Sequence, residues 1–169
     1  MKIDAGLDTG DVLLRWETEI GPEETAVELG ERLAAAGADL LVRTLAELGS
    51  IVPQKQDEAQ ATYAPILKKE DGRIDWSMSA CEIVNRVRGL APWPGCYGLL
   101  RGQRFHIWKA EQADILLAAG KLQAVAKKLY AGCKEGAIEL LEVQLEGKKR
   151  MTAAAFLNGS RLSEGETLA

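Results

Sequence analysis

The sequence predicts an α+β protein in which a helical N-terminal part leads, through a polar linker, to a small β-barrel. Three observations predict this order. Apolar residues between positions 22 and 49 recur at the helical period, and residues 52–65 are rich in Gln, Asp and Ala without any apolar period. Beyond residue 95 the apolar segments are short and separated by glycines. The 169 residues are enough for one or two domains.

The composition is that of an ordinary globular chain, with 47% hydrophobic and 27% charged residues. No apolar run approaches the roughly 20 residues of a membrane helix, and no basic segment precedes an apolar stretch at the N-terminus. We therefore expect a cytoplasmic protein with no membrane partner. Cys81, Cys96 and Cys133 are odd in number and widely spaced, which predicts reduced thiols and neither a disulfide nor a metal site.

The net charge of −4 conceals a difference between the two parts of the chain. Residues 1–58 carry 5 basic and 13 acidic side chains, a net charge of −8, whereas residues 59–169 carry 16 basic and 12 acidic ones, a net charge of +4. The second part is therefore the candidate for binding a polyanion. Charge alone leaves open the alternative of two ordinary solvated surfaces.

Three carboxylates, those of Asp4, Asp8 and Asp11, lie close together near the N-terminus and are spaced by glycines. The apolar run 12–14 follows at once, which predicts a tight loop leading into a buried strand. Loops of this kind commonly hold one catalytic acid, so residues 3–11 are the first candidate site. We interpret Asp11 as structural, closing the turn.

Two helices are predicted before the linker. Pro22-Glu23-Glu24 is typical of a helix start, because Pro suits the first turn and carboxylates interact favourably with the positive end of the helix dipole. Gly37 is expected to interrupt this helix, and Gly49 is expected to end a second one as its C-cap. The apolar face of the second helix consists of Leu40, Leu41, Leu45 and Leu48.

A further helix is predicted after the linker, where Ser79-Ala80-Cys81-Glu82 has the pattern of a capping box. Pro92 and Pro94 prevent this helix from continuing. Its apolar face consists of Ile83, Val84, Val87 and Leu90.

Short strands are predicted in the rest of the chain, with a hairpin turn at Gly102-Gln103. Residues 152–157 are predicted to form a short closing helix that ends at Gly159. Several short strands and a helix in this length are typical of a small barrel of the oligonucleotide-binding kind. The predicted strand segments, two or more beyond the hairpin, include residues 99–100, 105–108, 122–126 and 138–145.

Four landmarks in a fixed order carry a family resemblance. They are IDAGLDTGD at 3–11, TYAPILKKEDGRIDW at 62–76, PWPG at 92–95 and GKKRM at 147–151. With them, the chain resembles the methionyl-tRNA formyltransferase family, and specifically the C-terminal portion of its members. That family transfers a formyl group from 10-formyltetrahydrofolate to the amino group of methionine on initiator tRNA.

The resemblance implies a domain order. Residues 1–52 correspond to the end of a Rossmann-like α/β formyl-transfer domain, residues 53–75 to a basic interdomain linker, and residues 76–169 to a C-terminal tRNA-binding barrel resembling the oligonucleotide-binding fold. Full-length members are expected to be monomeric. A segment cut from a parallel sheet exposes an edge and an apolar face, so we expect residues 1–50 to be poorly anchored or to self-associate.

The resemblance also implies roles for the N-terminal loop. In the family an Asp acts beside an Asn and a His, and the matching position here is Asp8, the implied catalytic residue. Asp4, Gly6 and Leu7 match the loop that lies against the pterin of the cosubstrate. The family's His-x-Ser-Leu-Leu-Pro motif does not occur in these 169 residues. We interpret the one histidine, His106, as a structural strand residue.

On the tRNA side, the resemblance implies two basic clusters and a set of strand cations that extend them. Contacts of such cations with phosphates give salt-dependent affinity with little sequence information. The tryptophans Trp76, Trp93 and Trp108 could stack on bases, but we expect them to fill the core or the seam beside it. The implied tRNA-binding residues are Lys68, Lys69 and Arg73 in the linker, Lys148, Lys149 and Arg150 in the second cluster, and Arg101, Arg104 and Lys109 in the strands.

Two other functions compete with this one. The tetrapeptide Leu7-Asp8-Thr9-Gly10 resembles an aspartic protease signature, but that class requires flanking β structure where helices are predicted. The second alternative is a noncatalytic tRNA-binding module. We expect the polypeptide 1–169 alone to lack formylation activity, since it does not contain the partners of Asp8.

Overall fold

The computed structural model describes residues 1–160, 162–163 and 165–169. The chain divides into two compact units, Met1–Ile66 and Leu67–Ala169. No helix in the described part of the chain is both long and apolar enough to cross a membrane.

The first unit is built around one helix, α1 (Ala26–Glu47), whose N-cap is Thr25. The Thr25 and Glu28 groups bond reciprocally: the Thr25 N–H donates to Glu28 Oε2 at 2.8 Å, and the Glu28 N–H donates to Thr25 Oγ1 at 3.3 Å. The predicted start at Pro22-Glu23-Glu24 is therefore wrong by about one turn. Those residues form a separate turn, in which the Glu24 N–H donates to the Gly21 carbonyl at 3.1 Å.

α1 is one continuous helix, so the predicted interruption at Gly37 is wrong. Glycine costs about 1 kcal/mol relative to Ala inside a helix, which lowers its stability without ending it. The predicted C-cap at Gly49 is also wrong, since the positive-φ glycines of the described residues do not include it. Instead, the Ser50 N–H and hydroxyl both donate to the Glu47 carbonyl, at 2.8 and 2.9 Å.

The buried strand predicted at 12–14 does not form. Val12 makes one bridge with Gln54, through N–H···O bonds of 2.8 and 2.9 Å, and residues 12–14 are only half-buried. A strand needs a ladder with a neighbour, and the described residues offer 13–14 none. None of the described residues of α1 is buried. Its exposed apolar side chains are Val27, Leu33, Leu41, Val42 and Leu45.

The first α-helix of the second unit is α2 (Ala80–Gly89), and its predicted capping box is confirmed. The Ser79 N–H donates to Glu82 Oε2 at 2.8 Å, and the Glu82 N–H donates to Ser79 Oγ at 3.3 Å. Ile83 and Val87 are buried, as the apolar periodicity predicts.

Six strands follow α2: β1 (Cys96–Leu100), β2 (Gln103–Ala113), β3 (Leu122–Val125), β4 (Lys128–Gly132), β5 (Ala137–Leu145) and β6 (Met151–Thr152). They form an antiparallel sheet in the order β1-β2-β5-β4-β3, and β6 pairs with β5. The fold is therefore mixed α and β with an open antiparallel sheet, followed by α3 (Ala153–Gly159), whose N-cap is Thr152.

The β1/β2 hairpin turns one residue earlier than predicted. Leu100 pairs with Gln103, which leaves Arg101 and Gly102 as the turn. Both have positive φ, 51° and 77°. Two consecutive positive φ values match the twist of a two-residue hairpin, and this requirement places the turn at Arg101-Gly102 rather than at Gly102-Gln103.

The core of the second unit lies between the inner face of the sheet and the helices α2 and α3. The rings of Phe105 and Phe156 contribute to it, with centroids 5.0 Å apart. The largest fully buried side chains are Phe105, Ile83, Ile107, Leu129, Ile138, Leu140 and Val143.

Residues 166–169, which we call the C-terminal strap, join the two ends of the strand order. The Leu99 N–H donates to the Ala169 carbonyl at 2.8 Å and the Ala169 N–H donates back at 3.0 Å. Beside β3, the Leu122 N–H donates to the Glu166 carbonyl at 2.8 Å. The strap therefore satisfies backbone groups at both outer strands.

Candidate functional site

The N-terminal loop is shaped by its own polar groups. Asp4 Oδ1 accepts hydrogen bonds from the Gly6 N–H at 3.0 Å and from the Thr9 hydroxyl at 2.6 Å. A Cβ atom on Gly6 would lie 2.2 Å from Thr9 Oγ1, so this close approach requires glycine. Two of the predicted site residues, Asp4 and Gly6, thus fix the loop's conformation.

A residue that the sequence analysis missed, Gln56, anchors the same loop. Its Nε2 donates to the Asp8 carbonyl at 2.8 Å and to the Gly10 carbonyl at 2.7 Å. Asp8 has φ 55°, in the left-handed region that Asp tolerates better than most residues. Gly10 is held between neighbours, since a Cβ there would lie 1.9 Å from the Lys2 carbonyl oxygen. No motif in the sequence marks Gln56.

Asp8 lies at an open groove of about 690 Å³ within the first unit. Its backbone is fixed by Gln56 and its side chain is exposed, so the carboxylate can approach a ligand or an ordered water. Leu7 also lines the groove and is 95% exposed. The remaining lining residues are Thr9, Val12, Arg15, residues 54–58 and residues 60–62.

The linker cations begin the second unit at a short 3-10 turn, Lys69–Gly72. Its conformation is fixed by the Lys68 N–H, which donates to Asp71 Oδ2 at 2.6 Å, and by Arg86 of α2, which donates to the Asp71 carbonyl. A Cβ on Gly72 would lie 2.0 Å from the Gly95 carbonyl oxygen. The turn is therefore packed against the loop that precedes β1, and Lys68, Lys69 and Arg73 are exposed there.

Three rings follow one another on the face of β1 and β2 opposite Phe105 and Ile107, which we call the outer face; Tyr97 is buried there, and His106 and Trp108 are half-buried. The centroids of Tyr97 and His106 are 5.6 Å apart, and those of His106 and Trp108 are 5.5 Å apart with an interplanar angle of 12°. The guanidinium of Arg104 lies 4.7 Å from the Tyr97 centroid, and that of Arg150 lies 5.4 Å from the Trp108 ring. We call these five side chains the aromatic row.

The basic turn at 147–150 is tied to the aromatic row by Gln144. The Trp108 Nε1–H donates to Gln144 Oε1 at 2.9 Å, and Gln144 Nε2 donates to the Lys148 carbonyl at 2.8 Å. Arg150 also pairs with Glu142. Lys148 and Lys149 are exposed at this turn. The structure thus brings the second predicted cluster to the row.

His106 lies at the centre of the row, in β2, where its pKa is lowered by burial and, second, by the nearby charge of Arg104, while Glu146 acts in the opposite direction. Its Nδ1 is buried and has no hydrogen-bond partner among the described residues. Gly95 lies beside it: a Cβ there would be 3.7 Å from that nitrogen and 3.2 Å from the Trp108 ring. The imidazole is therefore neutral at pH 7 and packs as a ring.

The strand cations differ in their surroundings. Arg101 forms an ion pair with Glu166 of the C-terminal strap, with Nη2 and Oε2 3.0 Å apart, and this pairing raises the pKa of Arg101 and lowers that of Glu166. Arg104 belongs to the aromatic row, and its N–H donates to Glu146 at 3.1 Å. Lys109 is exposed at an irregularity in the β2/β5 pairing.

The tryptophans occupy three different environments. Trp76 is 8% exposed and belongs to the core, Trp93 is 53% exposed, and Trp108 is half-buried in the aromatic row. Among the residues that the structure describes, no group of three His, Cys, Asp or Glu side chains could hold a metal ion.

The chain is similar to proteins of a known class. The family model described as "Formyl transferase, C-terminal domain" matches residues 66–161, and the chain belongs to this family. The recognition of methionyl-tRNA formyltransferase is confirmed by curated relatives of that name. The relatives from Solibacter usitatus and Koribacter versatilis are 60% and 52% identical over 99% of the chain. The chain spans about half the length of these relatives, 55% in both.

Solved structures with the same fold share much less sequence. HypX from Aquifex aeolicus in complex with tetrahydrofolic acid matches 97% of this chain, with a TM-score of 0.63 and 16% identity, over 32% of its own chain. An N-formyltransferase from Helicobacter canadensis, in complex with folinic acid and dTDP-3-aminofucose, matches 82% of this chain and 52% of its own, with a TM-score of 0.64 and 17% identity.

Proposed function

We propose that this chain supplies one catalytic acid and the tRNA-binding part of a methionyl-tRNA formyltransferase. The reaction moves a formyl group from 10-formyltetrahydrofolate to the amino group of methionine on initiator tRNA, in the cytoplasm. The observation that carries the proposal is the 60% identity, over 99% of the chain, to a relative of that name. The chain covers 55% of that relative's length, so the proposal gives its residues only some of the binding and catalytic roles that the reaction needs.

Asp8 is proposed as the catalytic residue of the N-terminal loop. When an amine attacks the formyl carbon, an oxyanion develops and protons must move. A carboxylate near an imidazole favours its protonated form and can hold an ordered water for proton transfer. The exposure of Asp8 and the anchoring of its backbone by Gln56 support this role.

The cosubstrate is proposed to lie against Asp4, Gly6 and Leu7. Asp4 and Gly6 fix the backbone conformation of the loop, and Leu7 is exposed beside them, so the loop can present a defined surface to a flat pterin. The folate compounds named with HypX and with the N-formyltransferase support a folate donor for this fold.

The tRNA is proposed to bind through the cations of the second unit. We keep the domain order 1–52, 53–75 and 76–169 as part of this proposal, with residues 1–52 as the end of a Rossmann-like domain and residues 76–169 as a barrel of the oligonucleotide-binding kind. Support for a barrel comes from the C-terminal strap, which bonds to both ends of the sheet order. The proposed contacts are Lys68, Lys69, Arg73, Arg101, Arg104, Lys109, Lys148, Lys149 and Arg150.

The binding experiment titrates initiator tRNA with the chain 1–169 at several salt concentrations. We expect an affinity that falls as salt rises, because phosphate contacts release counterions. Replacing Lys148, Lys149 and Arg150 together by Ala is expected to weaken binding. Unchanged affinity in that triple variant, at every salt concentration, would contradict the proposal.

The activity experiment mixes the chain with 10-formyltetrahydrofolate and methionyl initiator tRNA. We expect no formylation above background, since residues 1–169 do not contain the His-x-Ser-Leu-Leu-Pro motif. By itself the chain would then act as a noncatalytic tRNA-binding module. Turnover that disappears in Asp8→Asn would show instead that these residues suffice for catalysis.

A further inference from the structure

We infer that the outer face of β1, β2 and β5 is an RNA backbone track, in which the aromatic row holds Arg104 and Arg150 ready to bind two phosphates. The inference rests on the proposed function for its choice of RNA as the partner. It goes further by assigning to Tyr97, His106 and Trp108 the role of positioning Arg104 and Arg150.

The geometry of the row is the first argument. Each guanidinium lies over a ring, at 4.7 Å for Arg104 on Tyr97 and 5.4 Å for Arg150 on Trp108. The two rings are joined through His106, which stacks on Trp108 at an interplanar angle of 12° and contacts Tyr97 in a tilted arrangement at 49°. A guanidinium on a ring keeps its N–H groups available at its edge while its long side chain loses freedom before the ligand arrives. Both arginines are therefore held in place at the ends of one rigid row.

The charges around the row favour an anion. Acidic side chains also occur here: Glu142 pairs with Arg150, Glu146 accepts a hydrogen bond from the backbone N–H of Arg104, and Glu70 and Asp71 belong to the turn that carries Lys69. The Glu142 carboxylate helps to fix the Arg150 side chain, and these carboxylates are outnumbered by the cations of the row and of the two basic turns. His106 is neutral at pH 7, so the rings add no charge of their own. The further exposed cations are Lys148 and Lys149 on the turn bound to Gln144, and Lys68, Lys69 and Arg73 on the turn packed against Gly95.

An RNA backbone is the occupant that matches this arrangement. Two guanidinium groups held on one row of rings, together with two basic turns that adjoin Trp108 through Gly95 and Gln144, give a surface of repeated positive charge. Phosphates repeat negative charge along a nucleic acid. Arginine forks bind phosphate oxygens in a bidentate manner. The rings between the two arginines keep the guanidinium groups in place, and they do not need to contact the RNA bases.

The test separates the rings from the charges. Trp108→Leu keeps every charge and removes the ring under Arg150, so we expect the affinity of the chain 1–169 for initiator tRNA to fall about two- to fivefold, with an unchanged salt slope. Arg104→Ala and Arg150→Ala should each lower the slope of log K against log salt by about one. Trp108→Phe keeps a ring and should restore most of the affinity.

A matched control and a competitor complete the test. Lys121 is exposed, lies just before β3 and belongs to neither basic turn, so Lys121→Ala should leave affinity and slope unchanged. Circular dichroism of each variant verifies that the sheet is intact. Polyuridylate should displace tRNA, whereas polyglutamate of equal charge should not; equal competition by polyglutamate would overturn the assignment to RNA.

The inference and the proposed function fail in different ways. If the unmodified chain binds tRNA but Trp108→Leu, Arg104→Ala and Arg150→Ala all behave like it, the track is wrong and the proposed function stands. If the unmodified chain does not bind tRNA at all, the proposed function falls and the inference with it.

Discussion

The two units of the chain achieve defined conformations by different means. In the first unit, Gly10 is the one buried residue among those that the structure describes, and the loop is fixed by hydrogen bonds from Gln56 and to Asp4. In the second unit, a continuous apolar core runs from Ile74 to Leu168. The proposed catalytic loop is therefore specified locally, whereas the proposed RNA surface depends on the sheet beneath it.

This difference explains why the two candidate surfaces have different mechanical properties. A few polar bonds between exposed groups contribute little net free energy each, because water competes for them. Buried apolar contacts are additive over a large area and fix the strands that carry the aromatic row. We expect the row to keep its geometry without a ligand and the loop to depend on one.

A single core substitution should have the largest effect. Phe105 is fully buried and contacts Phe156, so Phe105→Ala is expected to lower the free energy of unfolding of the second unit by about 3–5 kcal/mol. Leu41 in α1 is 59% exposed, so Leu41→Ala is expected to change the free energy of unfolding of the first unit by no more than about 0.5 kcal/mol. Urea unfolding followed by circular dichroism measures both. Similar losses in the two variants would break the comparison.

Limited proteolysis should divide the chain at the boundary between the units. Residues 61–66 are exposed and form no helix or strand, and such segments are cut readily. We expect subtilisin to remove the first unit and leave a resistant product that begins near residues 60–67, identified by mass spectrometry. In Phe105→Ala this product should be short-lived. A resistant first unit beside a degraded second unit would reverse the comparison.

The thiols should report burial within the second unit. Burial raises the pKa of Cys96 and of Cys133 from 9.0 to about 11, while Cys81 is exposed on α2. Thiolate is the reactive form, so iodoacetamide at pH 8 should modify Cys81 alone in the native protein and all three thiols in denaturant. Cys81→Ser serves as the control and should abolish native labelling. Rapid native labelling of Cys96 would show that the core opens readily.

The smallest effect concerns His106, whose pKa should lie below 6.5 in the folded protein. Between that lowered pKa and 6.5 the unfolded chain binds more protons, so the stability of the second unit rises with pH through this window and is lost as pH falls through it. Because the chain has one histidine, an NMR titration of its imidazole protons measures the value directly.

Arg104→Gln provides the control for that titration. Burial is the largest cause of the lowered pKa and the charge of Arg104 the second. The variant should therefore recover only part of the shift. A value at or above 6.5 in the unmodified protein would mean that the row is more open to water than its geometry indicates.

Local signals in the sequence predicted the second unit better than the first. The Ser79–Glu82 capping box, the closing helix after Thr152 and the strand at 138–145 each depend on nearby residues, and all three formed. The predicted strand at 12–14 did not form, because a strand needs a neighbouring strand in space and local sequence does not supply one. α1 continues through Gly37, because the helix propensity of the other residues in the helix outweighs the cost of one glycine.

The candidate surfaces were only partly predictable for the same reason. The alternation of His106 and Trp108 along β2 is visible in the sequence, and so is the basic turn at 147–150. Their meeting with Tyr97 depends on the register of β1 against β2, which the sequence analysis did not derive. Gln56 bonds to the Gly10 carbonyl although the two residues are 46 positions apart in sequence. No sequence-spacing rule predicts that contact.

The C-terminal strap also has a consequence for the order of events during folding. The two partners of the Arg101–Glu166 ion pair are 65 residues apart in sequence, and contacts of such long range are slow to form. During synthesis, which proceeds from the N-terminus, β1 and β2 can pair well before residues 166–169 exist. On the outer edge of β1 the Tyr97 carbonyl already has a partner in the Ile74 N–H, but the N–H and carbonyl of Leu99 stay unpaired until residues 166–169 have been added. In that interval this part of the edge is open to β-strand association with a neighbouring nascent chain.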